Sequence, residues 1–456
     1  MRRPAQGVGQ EAPDSARLPP AVPPQPGARL MTTPPPLSAR GCPMLHGAAF
    51  ATSPKAVYEQ LRPQGPVGWA EIAPHVHALV VTQHRAAITL LNDTSTFSKD
   101  SRLWAALANG QVPQDSPVLG MMAWRPSVLY TDGEEHARLR WAMDDCIARI
   151  DPHRLREITR RSALTLIARV IGQGRADLMS DFADVVPMLV FAELLGCPPE
   201  MTGRMVRACQ GLISAGPEAA QGAAEFAGLL FELIQLRRER PGQDLTSWMI
   251  NHAASLNDEE SLNQLFCAVG AGVIPVAACT AWTLHLLLRD DEYAGSLAAG
   301  TLTVRRALEK ALWERAPMAN FSVHFARFDT HLHGVPVPAR TPVLISHAAA
   351  NTDPSLSQGL DYNSRAHLAW SAGPHRCPAI SQATTIVQTA VETILDQLWD
   401  MALIDENPDP PLRHGPFHQC PQAMHVTFRP KSPDRIPVTA LAGGTSWPAA
   451  PTPHRP

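Results

Sequence analysis

Cys377 is the side chain whose surroundings in the sequence point most directly to chemistry. It closes the loop Trp370-Ser371-Ala372-Gly373-Pro374-His375-Arg376-Cys377-Pro378, and an apolar stretch of helical spacing, 379–401, follows it. A thiolate at the head of a helix is stabilised by the helix N-terminus, and Gly373 permits a tight turn before it. We therefore expect the loop to present one anionic sulfur ligand to an iron, with His375 nearby in the chain.

A cysteine nucleophile with His375 as its base is the alternative chemistry for the same loop. The two side chains are so close together in a turn that they are not expected to face each other, and no oxyanion-hole motif accompanies them. The remaining cysteines follow no disulfide or zinc spacing and are expected to be reduced thiols of a cytoplasmic protein. They are Cys42, Cys146, Cys197, Cys209, Cys267, Cys279 and Cys420.

A second candidate binding motif begins at Thr131-Asp132-Gly133, which is typical of a capped helix start. His136 and Arg140 lie four residues apart on that helix, so their side chains are expected to project from one face. Two donors or cations stacked in this way can hold a pair of carboxylates. An ordinary solvated helix face is the alternative interpretation of the same spacing.

The elements that must position these residues are mainly helical. Apolar residues recur every three to four positions over 178–195, 223–236, 262–288 and 379–401. Short runs rich in β-branched residues, bounded by turn formers, predict strands at 77–82, 321–325, 342–346 and 424–428. The pattern predicts a mainly α protein with a large helical domain and small β-sheets.

The two ends of the chain differ in composition from this domain. Residues 1–43 and 432–456 are rich in Pro and poor in large apolar side chains, so they cannot bury enough surface to offset the entropy of ordering. We predict disordered tails there and a single domain over 44–431. Met31 is an alternative translation start within the first tail.

Charge and hydropathy narrow the classes of partner. The formal net charge is −3, and neither end carries a long basic or acidic run, so no nucleic-acid or anionic-membrane partner is expected. No signal core follows the N-terminus, and no uninterrupted apolar run reaches the roughly 18 residues of a membrane span. A cytoplasmic protein without a membrane anchor is predicted.

The cysteine loop resembles the haem-ligand loop of the cytochrome P-450 superfamily, with Trp370 and Ser371 in place of its leading Phe and Gly. The helix start at 131–141 resembles the family's His-x-x-x-Arg helix, and Asn351-Thr352-Asp353-Pro354 resembles its Asn-Arg-Asp-Pro stretch. These motifs follow one another in family order, and the chain is identified as similar to soluble actinomycete-type members.

This resemblance implies a haem b cofactor whose iron takes Cys377 as axial thiolate. It also implies that His136, Arg140 and His375 bind the haem. By count, His324 takes the place of an Arg that pairs with a propionate in the family hairpin, represented here by 325–342. The implied activity is monooxygenation of a small, largely apolar secondary metabolite with electrons from a ferredoxin and its reductase.

One departure from the family concerns its Glu-x-x-Arg pair, which stabilises the core on the cysteine side of the haem. Lys310 and Trp313 take those two places. Glu309 and Arg315 are not expected to substitute, because six helical residues turn about 600° and leave them on different sides. Glu309 to Trp313 (EKALW) resembles an actinomycete subgroup that lacks the pair, and a decayed network in a pseudo-enzyme is the alternative.

A second departure concerns the central helix, whose Ala-Gly-x-Asp/Glu-Thr motif relays protons in the family. The matching residues run from Ala271 to Pro275, so the acid and the hydroxyl are absent. Gly272 is expected to permit close approach of a flat ligand, and Pro275 to kink the helix at the oxygen pocket. A rival register that places Thr280 in the Thr position breaks the spacing to Leu286.

Two hypotheses follow from these departures. The first is a monooxygenase that brings protons through water or substrate groups, or uses peroxide directly. The second is a haem-binding protein with little or no monooxygenase activity, serving another oxidase or acting as a sensor. No residue is assigned a certain catalytic role, and Gly272 and Pro275 are the candidates at the oxygen pocket.

Overall fold

The longest described helix, Asp258–Arg289, passes through a helical core whose residues run from Ala142 to Phe428. The computed structural model describes residues 41–213, 217–289, 304–356, 364–405 and 407–433. The helices in these residues are α1 (Gly47–Thr52), α2 (Pro54–Leu61), α3 (His84–Asn92), α4 (Ala105–Ala108), α5 (Leu119–Met122), α6 (Gly133–Ala148), α7 (Pro152–Val170), α8 (Val185–Leu194), α9 (Pro199–Ile213), α10 (Pro217–Glu239), α11 (Leu245–Ile250), α12 (Asp258–Arg289), α13 (Val304–Glu314), α14 (His347–Asn351) and α15 (Ile380–Gln397).

Short strands form three small sheets beside these helices. The strands are β1 (Val67–Ala73), β2 (Val76–Val81), β3 (Phe97–Ser98), β4 (Arg175–Asp177), β5 (His324–Ala326), β6 (Thr330–Leu332), β7 (Val335–Val337), β8 (Pro342–Ile345), β9 (Ala402–Leu403) and β10 (His425–Thr427). One sheet has the order β1-β2-β8-β5-β3, a second β4-β10-β9, and β6 pairs with β7. All described pairs are antiparallel except β2 with β8, where Val80 lies opposite Leu344.

The predicted mainly α architecture with small sheets is confirmed. The stretches 223–236 and 262–288 lie inside α10 and α12, and 379–401 contains α15. The stretch 178–195 differs, because it begins with a π-helical turn, Met179–Ala183, before α8. Asp184 directly follows this wide turn and forms an ion pair with Arg413. A regular helical period does not predict such a turn.

The helix α12 is long and apolar enough to span a membrane. The sequence prediction, which required an uninterrupted apolar run, did not expect such a helix. Its most apolar window has a mean hydropathy of 1.9, and 56% of that window is buried inside the protein. Core helices of folded domains have the same composition, because they are surrounded by apolar neighbours on most sides. The packing of α12 against α8, α13 and α15 is of that kind.

The predicted tails lie almost entirely outside the described residues. At the N-terminal boundary, the Pro43 carbonyl accepts a hydrogen bond from Glu71 N at 2.9 Å, and Cys42 Sγ donates to the Trp69 carbonyl at 3.4 Å. At the other end, Lys431 N donates to the Ile171 carbonyl at 3.0 Å. Cys42 and Pro43, which precede the predicted domain boundary at residue 44, therefore already lie along β1.

Candidate functional site

The loop that carries Cys377 is closed by its own backbone and by contact with α3. Cys377 N donates to the Trp370 carbonyl at 3.0 Å. Gly373 has φ 66°, and a Cβ at this position would overlap the carbonyl oxygen of Leu91 at the end of α3. Only Gly satisfies both the positive φ and the close approach, so the predicted tight turn is confirmed.

The Cys377 sulfur lies just before α15 and is partly exposed. Burial raises the pKa of its thiol, whereas the backbone N–H of Ala379 and the charges of Arg140 and Arg376 lower it. A cysteine nucleophile needs a clearly depressed pKa or an adjacent base. The site offers neither, which disfavours the nucleophile interpretation and leaves metal coordination as the chemistry that would ionise the sulfur.

His375 contacts two residues outside its own loop. Its ring lies 4.1 Å from the ring of His136, measured between centroids, and its Nε2 lies 3.9 Å from Asp132 Oδ1. Burial is the main cause that lowers the pKa of His375, to about 4. The structure therefore brings His136 and His375 together beside the cysteine loop, and the His136 Nε2 atom is buried with no hydrogen-bond partner among the described residues.

Asp132 precedes α6 in the capping position, but its side chain does not cap the helix. The carboxylate instead accepts hydrogen bonds from Ser98 Oγ, from Lys99 N at 3.1 Å and from Arg327 at 3.0 Å. Burial acts to raise the pKa of Asp132, but these donors and His375 hold it well below its usual range. The capping prediction was wrong, because tertiary donors from β3 and the hairpin segment compete for the carboxylate.

Arg140 lies one turn after His136 on α6, as the spacing predicted. Its guanidinium donates to Asp144 Oδ1 at 2.6 Å and to the Pro374 carbonyl at 2.9 Å. Arg140 therefore ties α6 to the cysteine loop. Its expected part in haem binding stays a prediction.

His324 is buried on β5 in the same cluster. Its Nδ1 lies 2.9 Å from the Ser322 carbonyl, which can only accept, so Nδ1 carries the proton. Burial, followed by the charge of Lys99, lowers the pKa of His324 well below its ordinary value. A neutral His324 with its proton on Nδ1 has only an acceptor left at Nε2, so it differs from the fork of donors that an Arg supplies.

Lys99 is the site residue that sequence reasoning missed. It directly follows β3, is only 5% exposed, and holds its Nζ 5.9 Å from the centre of the Phe321 ring. Burial lowers its pKa to about 8, opposed by the charge of Asp132. A single Lys after a short strand is usually solvated, so nothing in the local sequence distinguishes it.

The central helix α12 leaves one face open in its middle. Cys267, Ala271 and Pro275 recur every four residues on this face and are exposed or partly exposed, whereas Val273 and Val276 are buried. Pro275 has no N–H, so the Ala271 carbonyl lacks its helical donor. The charges of Cys377 and Lys99 act on the pKa of Cys267, which burial raises to about 11. The open face therefore lies on the side of the cysteine loop.

Gly272 differs in role from the sequence expectation, whereas Thr280 agrees with it. A Cβ on Gly272 would overlap the ring of Phe191 in α8, so Gly272 admits a neighbouring helix, and Ala271 occupies the open face. Thr280 is buried, and its hydroxyl donates to the Val276 carbonyl within the helix at 2.8 Å. The Thr280 hydroxyl is therefore not free to relay protons, as the rival register would require.

The absent Glu-x-x-Arg pair is replaced by different contacts of α13. Glu309 Oε2 lies 3.4 Å from His367 Nε2, and the Trp313 ring packs edge-on against His367 with centroids 5.6 Å apart. Trp313 Nε1 donates to the Ser364 carbonyl at 2.9 Å. Arg315 pairs with Asp409, so the expectation that it does not substitute beside Glu309 is confirmed.

Asn351 adds a second connection to the same segment. Its Nδ2 donates to the Leu312 carbonyl of α13 at 3.1 Å, and its Oδ1 accepts from Leu368 N at 2.7 Å. Leu368 opens the 3-10 turn Leu368–Trp370, whose last carbonyl receives the Cys377 N–H. We call Glu309, Trp313, Asn351 and His367 the α13 clamp, because together they connect α13 to the base of the cysteine loop.

Known proteins of similar sequence are numerous, although no family model matches the chain. The chain is 24% identical over 362 residues to 2-hydroxy-5-methyl-1-naphthoate 7-hydroxylase of Streptomyces carzinostaticus, covering 75% of this chain and 87% of that protein. It is 27% identical over 374 residues to the cytochrome P-450 monooxygenase PikC of Streptomyces venezuelae, covering 78% and 86%.

Solved structures of similar fold are also cytochromes P-450. The myxobacterial cytochrome P-450 CYP267B1, in complex with myristic acid, has a TM-score of 0.74 at 26% identity, covering 84% of this chain and 98% of that one. CYP154C4 from a Streptomyces species has a TM-score of 0.75 at 25% identity, covering 87% and 98%.

Proposed function

Because the chain belongs to the cytochrome P-450 superfamily, we propose that it is a monooxygenase that acts on a small, largely apolar secondary metabolite. The cofactor of this family is a b-type haem with an axial cysteine thiolate. When bound, it supplies dioxygen activation and insertion of one oxygen atom into the substrate. Electrons would come from a ferredoxin and its reductase in the cytoplasm.

One observation carries the proposal: a partly exposed cysteine, Cys377, lies just before α15, within electrostatic range of Cys267 on the open side of α12. We assign Cys377 as the iron ligand. The buried Nε2 of His136, which has no partner among the described residues, favours a bound group that supplies one, since an orphaned buried polar atom is costly. His136, His375 and Arg140 would hold the propionates from α6 and the loop.

Proton delivery is the step in which this chain departs from its family. The side chains of Ile274 and Pro275 cannot carry protons, and the Thr280 hydroxyl is already bonded. The Ala271 carbonyl, freed by Pro275, is the polar group of the open face that can hold a water molecule. We propose that water held there, or a substrate group, delivers protons, and that peroxide can replace dioxygen.

The proposal is tested by the spectrum of the reduced protein under carbon monoxide. We expect an absorption maximum at about 450 nm, as for thiolate-ligated haem, and its loss in Cys377→Ala. Cys267→Ala is the matched control, because this partly exposed thiol lies on the opposing helix face. A wild-type protein without the band, or a Cys377→Ala protein that keeps it, would overturn the assignment.

A second candidate function is haem binding with little or no monooxygenase activity. The missing proton-carrying side chains at Ile274 and Pro275 favour it. Under this alternative the protein shows the 450 nm band, yet forms no product from candidate metabolites with a ferredoxin system or with peroxide. Product formation with either oxidant supports the monooxygenase.

A further inference from the structure

The buried Lys99 carries a positive charge that the surrounding protein does not balance. Its side chain is 5% exposed, and no acceptor within the described residues forms a hydrogen bond with its Nζ. It points among aromatic and apolar groups, including Phe321, Met121 and Val323. An isolated ammonium in such surroundings is costly unless an anion joins it.

Asp132 is the one carboxylate whose charge acts on Lys99, and it is already engaged. Arg327 donates to Asp132 at 3.0 Å, and Ser98 Oγ and the Lys99 backbone N–H fill further acceptor positions. The Arg327 guanidinium balances the Asp132 charge. One positive charge, that of Lys99, is therefore left for an external anion.

The neighbours of Lys99 fit an anion with several acceptor oxygens. The charge of Lys99 lowers the pKa values of His136, His324, His347 and His375, so these four buried or partly buried rings lie within electrostatic range of its ammonium group. The unpartnered Nε2 of His136 lies in this group. His324, which occupies the place of the family's Arg, is neutral and offers only an acceptor.

We infer that Lys99 binds a haem propionate and supplies the cation that is missing at His324. The inference rests on the proposed function. It adds Lys99, which directly follows β3, to the cofactor-binding residues of α6 and the cysteine loop. A carboxylate beside Lys99 would pair with an ammonium that is already desolvated, which makes the contact strong. An Arg at 324 is then unnecessary.

The test is the rate at which the holoprotein loses haem to an excess of a haem-scavenging apoglobin. We expect Lys99→Met to release haem roughly tenfold to a hundredfold faster than the wild type, and Lys99→Arg to stay close to it, because a hydrogen bond to a charged group contributes about 1.5–3 kcal/mol. Lys55→Met, at an exposed lysine of α2, is the matched control.

A second measurement separates cofactor binding from a structural role. After haem removal, the denaturation midpoint of Lys99→Met should equal or exceed that of the wild type, because the variant lacks a buried unbalanced charge. Unchanged haem release in Lys99→Met, or equal destabilisation with and without haem, overturns the inference. Absence of the 450 nm band in the wild type overturns the proposed function instead.

Discussion

The Nε2 atom of His367 lies 3.4 Å from Oε2 of Glu309. His367 Nδ1 accepts a hydrogen bond from Ala369 N at 3.3 Å, which places the proton of a neutral ring on Nε2, within ion-pair distance of Glu309 but without a hydrogen bond to it. The contact joins α13 to the turn that receives the Cys377 N–H. The core on the cysteine side is thus stabilised by a different set of residues, and the idea of a decayed network is not needed to explain Lys310 and Trp313.

Restoring the family's Glu and Arg should therefore harm this protein. We expect Lys310→Glu/Trp313→Arg to lower the free energy of unfolding by at least about 3 kcal/mol, because loss of the buried Trp313 ring leaves a cavity beside His367. Denaturant unfolding measures the loss, and the 450 nm band should decrease in intensity.

Lys310→Glu alone is the control, and it should change stability by less than about 1 kcal/mol because Lys310 is only partly buried. A conservative variant, Trp313→Phe, keeps an aromatic ring but removes the hydrogen bond to the Ser364 carbonyl and part of the buried ring volume, and should cost about 1–2 kcal/mol. A double variant more stable than the wild type would contradict the α13 clamp.

Gly373→Ala should disrupt the cysteine loop. The substitution combines a positive φ, which costs roughly 1–2 kcal/mol, with an overlap against the Leu91 carbonyl that a backbone shift must relieve. We expect loss of most of the 450 nm band. Gly334→Ala is the matched control, since Gly334 also has positive φ, 86°, but has open space around its Cβ position.

The comparison separates backbone strain from contact with α3. Gly334→Ala should cost about 1 kcal/mol in denaturant unfolding and leave the spectrum unchanged. If both alanine variants lose the same stability and both keep the band, the Leu91 contact does not determine the position of Cys377.

The buried His347 should make stability depend on pH in the acid range. Burial, and then the charge of Lys99, lower the pKa of His347 to about 3, and its Nε2 lies 2.9 Å from Ser322 Oγ. Below about pH 6.5 the unfolded chain binds a proton that the folded protein rejects, so stability falls as pH decreases toward 3.

Between pH 6.5 and pH 5 the predicted loss from His347 is about 2 kcal/mol in urea unfolding. This contribution to the loss of stability should disappear in His347→Gln, because Gln can keep a nitrogen near Ser322 but does not titrate. His153→Gln, at an exposed position of α7, is the control. An unaltered pH profile in His347→Gln would contradict the prediction.

Pro275→Thr together with Ile274→Asp should restore a proton relay on α12. We expect the yield of product per dioxygen consumed to rise by about tenfold or more, since positioned acid–base groups contribute at least that much. Product and oxygen consumption are measured together, with Pro275→Ala as the control for restoring the helical N–H alone. A double variant no better coupled than Pro275→Ala would contradict the prediction that the missing acid and hydroxyl limit coupling.

Much of the fold could be predicted from the sequence, because local spacing records which face of each helix is buried. The long apolar period of α12 and α10 and the motif around Cys377 are signals of this kind. Gly373 was predictable as well, since a tight turn before a helix favours Gly. The π-helical turn before α8 was not, because Asp184, which directly follows it, pairs with Arg413, a residue far away in the sequence.

The sequence by itself determined the ligand loop, the mainly α architecture and the absence of an acid and a hydroxyl on the central helix. Only the tertiary structure decided that Lys99 is buried, that Asp132 binds three donors instead of capping α6, and that Glu309 faces His367. The reason is physical. Local periodicity reports burial along one element, whereas these charges are paired across elements far apart in the chain, and only the packing of those elements brings them within contact.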